Sequence, residues 1–115
     1  MTVRELMEKN VFQVINMGNG LDRNISTPFC CDLLSIAMSK APQDGVWVTV
    51  MGNINTLAVA SLTEVACVIL AEGVALDDAA LNKAKEQGIT VLSTDKSIFD
   101  ASLLVYELIH DTIKL

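Results

Sequence analysis

Basic residues are scarce in this chain: Lys and Arg number 8 against 14 Asp and Glu, for a formal net charge of -6. No stretch gathers them into a patch. Phosphate backbones are held by Lys and Arg clusters that release counterions, so neither DNA nor RNA is expected as a partner. Aromatic residues, at 4%, leave few surfaces on which bases stack. The longest apolar run, Val65 to Ala71, stops at Glu72, far short of the ~20 residues that a membrane helix needs. The opening residues, Met1-Thr2-Val3-Arg4-Glu5, hold no basic region followed by an apolar stretch. No secretory leader and no membrane partner are expected, and the chain reads as cytoplasmic. The 3 cysteines cannot pair fully, and Cys30 and Cys31 are adjacent, which suits a reducing compartment better than a disulfide framework.

The motifs of common chemistry are missing as well. No Gly-x-x-x-x-Gly-Lys-Ser/Thr occurs, so the loop and lysine that grip nucleotide phosphates for transfer are absent. Gly18-Asn19-Gly20 is followed by Leu21-Asp22-Arg23, with Arg23 where a dinucleotide fingerprint wants its third glycine, and it reads as a plain turn. Cys30 and Cys31 diverge on a strand and cannot share a zinc ion, which leaves core or half-core roles for Cys30, Cys31 and Cys67. The single histidine, His110, has no Ser or Cys near it in the sequence. Catalytic residues, metal ligands and cofactors are therefore expected to be none, and the chain is not expected to be an enzyme.

What is present is enough apolar material to fold. Hydrophobic residues make up 51% and charged residues 19% of 115, which fits one domain over residues 1–115 with a core able to offset conformational entropy. Thr2 and Glu5 have capping-box spacing and predict a helix from Val3 to Lys9. Val11 to Ile15 reads as a strand, and Asn16 to Gly20 as a turn. Ser26 to Cys31 is extended, and Asp32 is expected to cap a helix from Leu33 to Lys40. Strands are expected at Val46 to Val50, Cys67 to Leu70 and Ile89 to Leu92. Helices are expected at Asn55 to Glu64, from Asp77 or Asp78 to a stop at Gly88, and from Ser97 to Ile113. Short alternating units of this kind predict an α/β fold: a three-layer α/β/α domain around a mostly parallel sheet.

Open parallel sheets bind ligands beyond the carboxyl ends of their strands. Ser93-Thr94-Asp95, Gly52-Asn53-Ile54-Asn55 and Glu72-Gly73 are expected on that edge, lining one crevice. Asn53, Asp95 and Ser97 are alternatively plain helix caps. Asp22 and Arg23 form the remaining constellation. Arg23 either makes local structural bonds or presents its fork to a phosphate or carboxylate. The ligand-binding candidates are thus Asp22, Arg23, Asn53, Asn55, Ser93 and Thr94.

Several separated blocks then agree with one pattern. Gly18 to Arg23, Cys31-Asp32-Leu33-Leu34-Ser35, Trp47-Val48-Thr49-Val50 and Asn55 to Leu62 resemble, in order, the DRTGG domain family. The resemblance runs from Val3 to about Leu108. It implies a fold like the N-terminal domain of HPr kinase/phosphorylase, with no kinase domain present. Its members occur beside CBS domains in regulatory pyrophosphatases, ahead of phosphotransacetylase catalytic domains, and as free-standing chains. The resemblance therefore implies a non-catalytic regulatory module that senses a nucleotide or other phosphorylated ligand, in many members as a homodimer. The alternative is an interaction subunit of a larger metabolic enzyme system, with no small-molecule ligand. The family's motif continues Asp-Arg-Thr-Gly-Gly, whereas this chain reads Asp22-Arg23-Asn24-Ile25-Ser26, so only the Asp-Arg pair carries over.

Overall fold

The computed structural model describes residues 1–110. Helix α1 (Val3–Glu8) opens on the expected capping box. The Thr2 hydroxyl accepts from the Glu5 amide at 3.1 Å, and the Glu5 carboxylate accepts from the Thr2 amide at 2.9 Å. Strands β1 (Gln13–Asn16) and β2 (Pro28–Cys30) follow, joined by the loop that carries Asp22 and Arg23. The rest alternates strictly: α2 (Leu34–Lys40), β3 (Val46–Thr49), α3 (Ile54–Thr63), β4 (Cys67–Leu70), α4 (Asp78–Gln87), β5 (Val91–Ser93) and α5 (Ile98–Ile109). The stretch of the terminal helix expected beyond residue 110 lies outside the described residues.

The strands form one sheet in the order β1-β5-β4-β3-β2. β2 to β5 run parallel, and β1 adds antiparallel to β5 at one edge. Successive side chains on a strand point to opposite faces, and here both faces are covered. Val46, Val48, Cys67, Ile69 and Leu92 pack in one core with Val3 and Leu6 of α1 and Ala101 and Val105 of α5. Trp47, Val68, Leu70 and Val91 pack in the other with Ala37 of α2, Leu57 and Ala60 of α3, and Ala80 and Ala84 of α4. This is the three-layer α/β/α arrangement, and the apolar β3 and β4 strands follow from burial on both sides.

One cap differs from expectation. Asp32 does not cap α2: the N-cap is Leu33, without a side-chain bond. The Asp32 carboxylate instead accepts from the Thr49 hydroxyl at 2.7 Å and the Val50 amide at 3.0 Å. The end of β3 offers a hydroxyl and an unpaired amide together, which outcompetes a single helix donor. Asp77 caps α4, Gly88 closes it in the left-handed region, and Asn53 and Ser97 cap α3 and α5.

Candidate functional site

At the carboxyl edge of the sheet, three loops are stitched side by side. The Gly73 amide donates to Thr94 O at 2.9 Å and the Glu72 amide to Lys96 O at 2.8 Å, tying the β4–α4 loop to the β5–α5 loop. On its other flank, the Asp77 amide reaches Gly52 O at 3.4 Å. The expected edge therefore exists, but its concavity is one-sided. An open cavity of about 330 Å³ is lined by Gln13, Ile15, Gly73, Ser93, Thr94 and Asp95, with β1 as its outer wall. Asn53 and Asn55 do not line it. They lie across the middle loop, and the Asn53 side chain is committed to the Asn55 and Thr56 amides. Within the cavity, Thr94 Oγ1 accepts from the Lys96 amide at 3.2 Å.

Arg23 stands at the other end of the molecule. Its Nε and one terminal nitrogen donate to Asp44 Oδ1 at 2.8 and 2.5 Å. The same terminal nitrogen donates to Glu64 O, and the second to Val65 O at 3.1 Å. Asp44 precedes β3 and Glu64 caps the C-terminus of α3, so these contacts lie at the amino edge of the sheet. Asn53, at the N-cap of the same helix, is about 16.5 Å away at 1.5 Å per residue. Asp22 is exposed and pairs with Arg4 at 3.0 Å, a hydrogen bond that pushes the guanidinium of Arg4 above its ordinary pKa. The six candidate residues thus fall on two edges: Asn53, Asn55, Ser93 and Thr94 on one, Asp22 and Arg23 on the other. No single small ligand touches both.

The amino edge holds a second open cleft, of about 390 Å³, lined in part by Asn19, Gln43, Asp44, Ser61, Glu64 and Gln87. These residues were not singled out by the sequence. Asp44 and Glu64 adopt φ of 63° and 60°, a left-handed backbone that aspartate visits more readily than most residues and that glutamate does not signal.

The cysteines are spread as their strand positions dictate. Cys67 is buried, Cys31 half-buried, and Cys30 is exposed, against its expected core or half-core place, because β2 is an edge strand. Cys30 Sγ lies 2.8 Å from Ser102 Oγ, whose own hydroxyl donates to Ile98 O at 2.7 Å. His110 packs against Tyr106 with ring centroids 4.2 Å apart and ring planes tilted by 45°. Among the described residues, no group of three or more His, Cys, Asp or Glu can hold a metal ion, and no helix is long and apolar enough to cross a membrane.

Helices on both faces of a mostly parallel sheet, with polar loops at its two edges, define a small α/β/α layered domain. The DRTGG domain model matches residues 5–108, and the chain belongs to the DRTGG domain family. It is similar in structure to the CBS and DRTGG domains of the regulatory region of Clostridium perfringens pyrophosphatase, a crystal structure complexed with the activator diadenosine tetraphosphate. The TM-score is 0.73 at 14% identity, covering 91% of this chain and 46% of that one. The chain therefore spans about half the length of that relative. No curated protein matches it.

Proposed function

We propose that this chain is a non-catalytic regulatory module that senses a nucleotide or other phosphorylated metabolite at the carboxyl edge of its sheet and works as a homodimer in the cytoplasm. The observation that carries this reading is family membership, joined to a structural relative that is a regulatory region complexed with a nucleotide activator. The edge has suitable chemistry. Ser93, Thr94 and Gln13 offer hydroxyl and amide groups, and Asp95 a carboxylate that accepts from ribose hydroxyls. Lys96, next to Asp95 on the same loop but outside the cavity wall, brings a cation near it, and the N-terminus of α5 beside Ser97 favours negative charge. Thermal-shift titration of the chain with AMP, ATP and diadenosine tetraphosphate tests it. A ligand of the native state raises the melting temperature, and Thr94→Val or Lys96→Ala reduces that rise. Flat curves across the panel sink the sensing role.

A second reading, an interaction subunit without a small ligand, is favoured by one observation. Phe99, Leu103 and Tyr106 are 69%, 42% and 48% exposed. Their spacing of four and three residues sets them in a stripe along the outer face of α5. Apolar stripes left bare mark interfaces. A homodimer burying this stripe is converted to monomer by Leu103→Glu, read by sedimentation velocity. A strict monomer before substitution counts against both the dimer and the interaction subunit.

A further inference from the structure

We propose that the cleft at the amino edge, between the C-termini of α3 and α4, binds an organic cation carrying primary ammonium groups. It stands at the opposite edge from the sensing cavity and is independent of that reading.

The cleft's charge selects the ligand. Glu64, the C-cap of α3, and Gly88, the C-cap of α4, both line it. Each helix C-terminus carries roughly half a negative charge, effective within its last turn. The last turn of α3 contains no basic residue, and that of α4 contains Lys85, which does not line the cleft. Of the charged side chains that line it, Arg23 and Asp44 neutralise each other, and Arg23 is further committed to Glu64 O and Val65 O. Glu64 is exposed, and its carboxylate has no ion-pair or hydrogen-bond partner among the described residues. The net balance is therefore negative, and an anion is repelled.

The neutral groups fit the same ligand. Asn19, Gln43 and Gln87 bring side-chain amides to the cleft, and Ser61 a hydroxyl that donates to Gln87 Oε1 at 3.0 Å. An ammonium group has three donors and no acceptor, so a carboxylate sharing a cleft with side-chain amides, each with an oxygen that accepts, is its complement. A bare metal ion is a poorer fit, because no three metal-ligating side chains converge among the described residues. A volume of about 390 Å³ instead falls within the range of small-molecule sites. The same chemistry comes from a free polyamine or from a lysine side chain of a peptide.

Titration of the full, isotope-labelled chain with spermidine, followed by amide chemical shifts, tests the proposal. The expected result is shifts centred on Ser61, Glu64, Gln87 and Gly88. Glu64→Gln is expected to weaken binding about tenfold, while Glu8→Gln, the same charge change on α1, leaves it unaltered. Displacement of spermidine by a capped lysine-containing tetrapeptide assigns the site to peptide side chains, and no displacement assigns it to free polyamine. Absent shifts, shifts spread over the acidic surface, or equal weakening by both variants overturn it. Should Glu64→Gln fail to fold, Gln87→Lys, which places an ammonium group at the cleft, is expected to abolish binding. Retained binding in that variant also overturns the site.

Discussion

The guanidinium of Arg23 grips one oxygen of Asp44 with two of its nitrogens, at 2.8 and 2.5 Å, and spends its remaining donors on the carbonyls of Glu64 and Val65. One side chain thereby fastens the long β1–β2 loop to the turns that lead into β3 and β4. The Arg of the Asp-Arg pair is thus a brace at the amino edge. Removing it leaves Asp44, itself about a third exposed, without its partner and a helix C-terminus without its cap. Arg23→Ala is expected to lower stability by about 2 kcal/mol, allowing for partial exposure. Arg23→Lys is expected to recover little, because an ammonium lacks the fork. Urea unfolding followed by Trp47 fluorescence measures both, since Trp47 is fully buried and donates to Cys31 O at 2.9 Å.

Gly18 is held where the chain passes closest to the α4–β5 turn. A Cβ there meets Gly88 O at 2.2 Å and Gly88 C at 2.5 Å, both backbone atoms that cannot swing aside. The Gly18 amide also donates to Thr90 Oγ1 at 3.0 Å, and the Asn19 amide to Gly88 O at 2.8 Å. Gly18→Ala is expected to cost about 1–3 kcal/mol or more as the loop lifts. Faster hydrogen exchange at the Gly18 and Asn19 amides would accompany it. Unchanged exchange and stability would contradict the close approach.

Burial pushes the Cys67 thiol up to about 12, with Arg23 pulling weakly the other way. The folded value lies above the ordinary 9.0, so Cys67 contributes stability that is complete below that ordinary value and drains away as pH rises through the folded one. Alkaline unfolding is expected to begin in this window. Cys67→Ala or Cys67→Val is expected to flatten the pH dependence there. At neutral pH a thiol reagent is expected to modify exposed Cys30 first and Cys67 only on unfolding.

At the other end of the scale, the bond that the Thr2 amide donates to its carboxylate, with the Thr2 side chain close by, holds Glu5 below its ordinary pKa of 4.5. A lowered carboxyl pKa stabilises the fold above its unfolded value and loses that effect as pH falls through the folded one. Acidification is expected to fray α1 from its first turn. The protection factor of the Glu5 amide, its exchange rate taken relative to the intrinsic rate at each pH, is expected to fall in acid in the native chain but not in Glu5→Gln. An equal fall in both would remove the capping box as the cause.

Much of this architecture is legible along the chain because its signals are local. The capping box at Thr2 and Glu5, the apolar run at Cys67 to Leu70 and the stop at Gly88 each follow from short-range chemistry. The strands shift by a residue or two where pairing decides. Ile89 and Thr90 lie outside β5, which runs Val91–Ser93: the β1 partners are Ser93, Leu92 and Val91, and the Ile89 carbonyl is taken by the Asn16 side chain. Asp32 shows the limit more sharply. Its place before an apolar helix resembles a cap, but the stronger donors come from β3, across the sheet. The candidate site was legible edge by edge and not as a whole. Ser93 and Thr94 follow from strand ends, whereas the amino-edge cleft assembles residues from 19 to 89, a proximity that no local pattern encodes.

The strand order has one further consequence. From β2 to β5 every crossover steps the same way, and α2, α3 and α4 share one face. The chain order nowhere reverses within the parallel strands, so the deep crevice that such a reversal opens in doubly wound sheets does not form. A ligand on this shallow edge gains full enclosure only when another surface closes over it. Under the proposed homodimeric reading, its apparent affinity would rise with protein concentration, ligand and assembly strengthening one another by mass action. Dilution would act on such a sensor as an antagonist does.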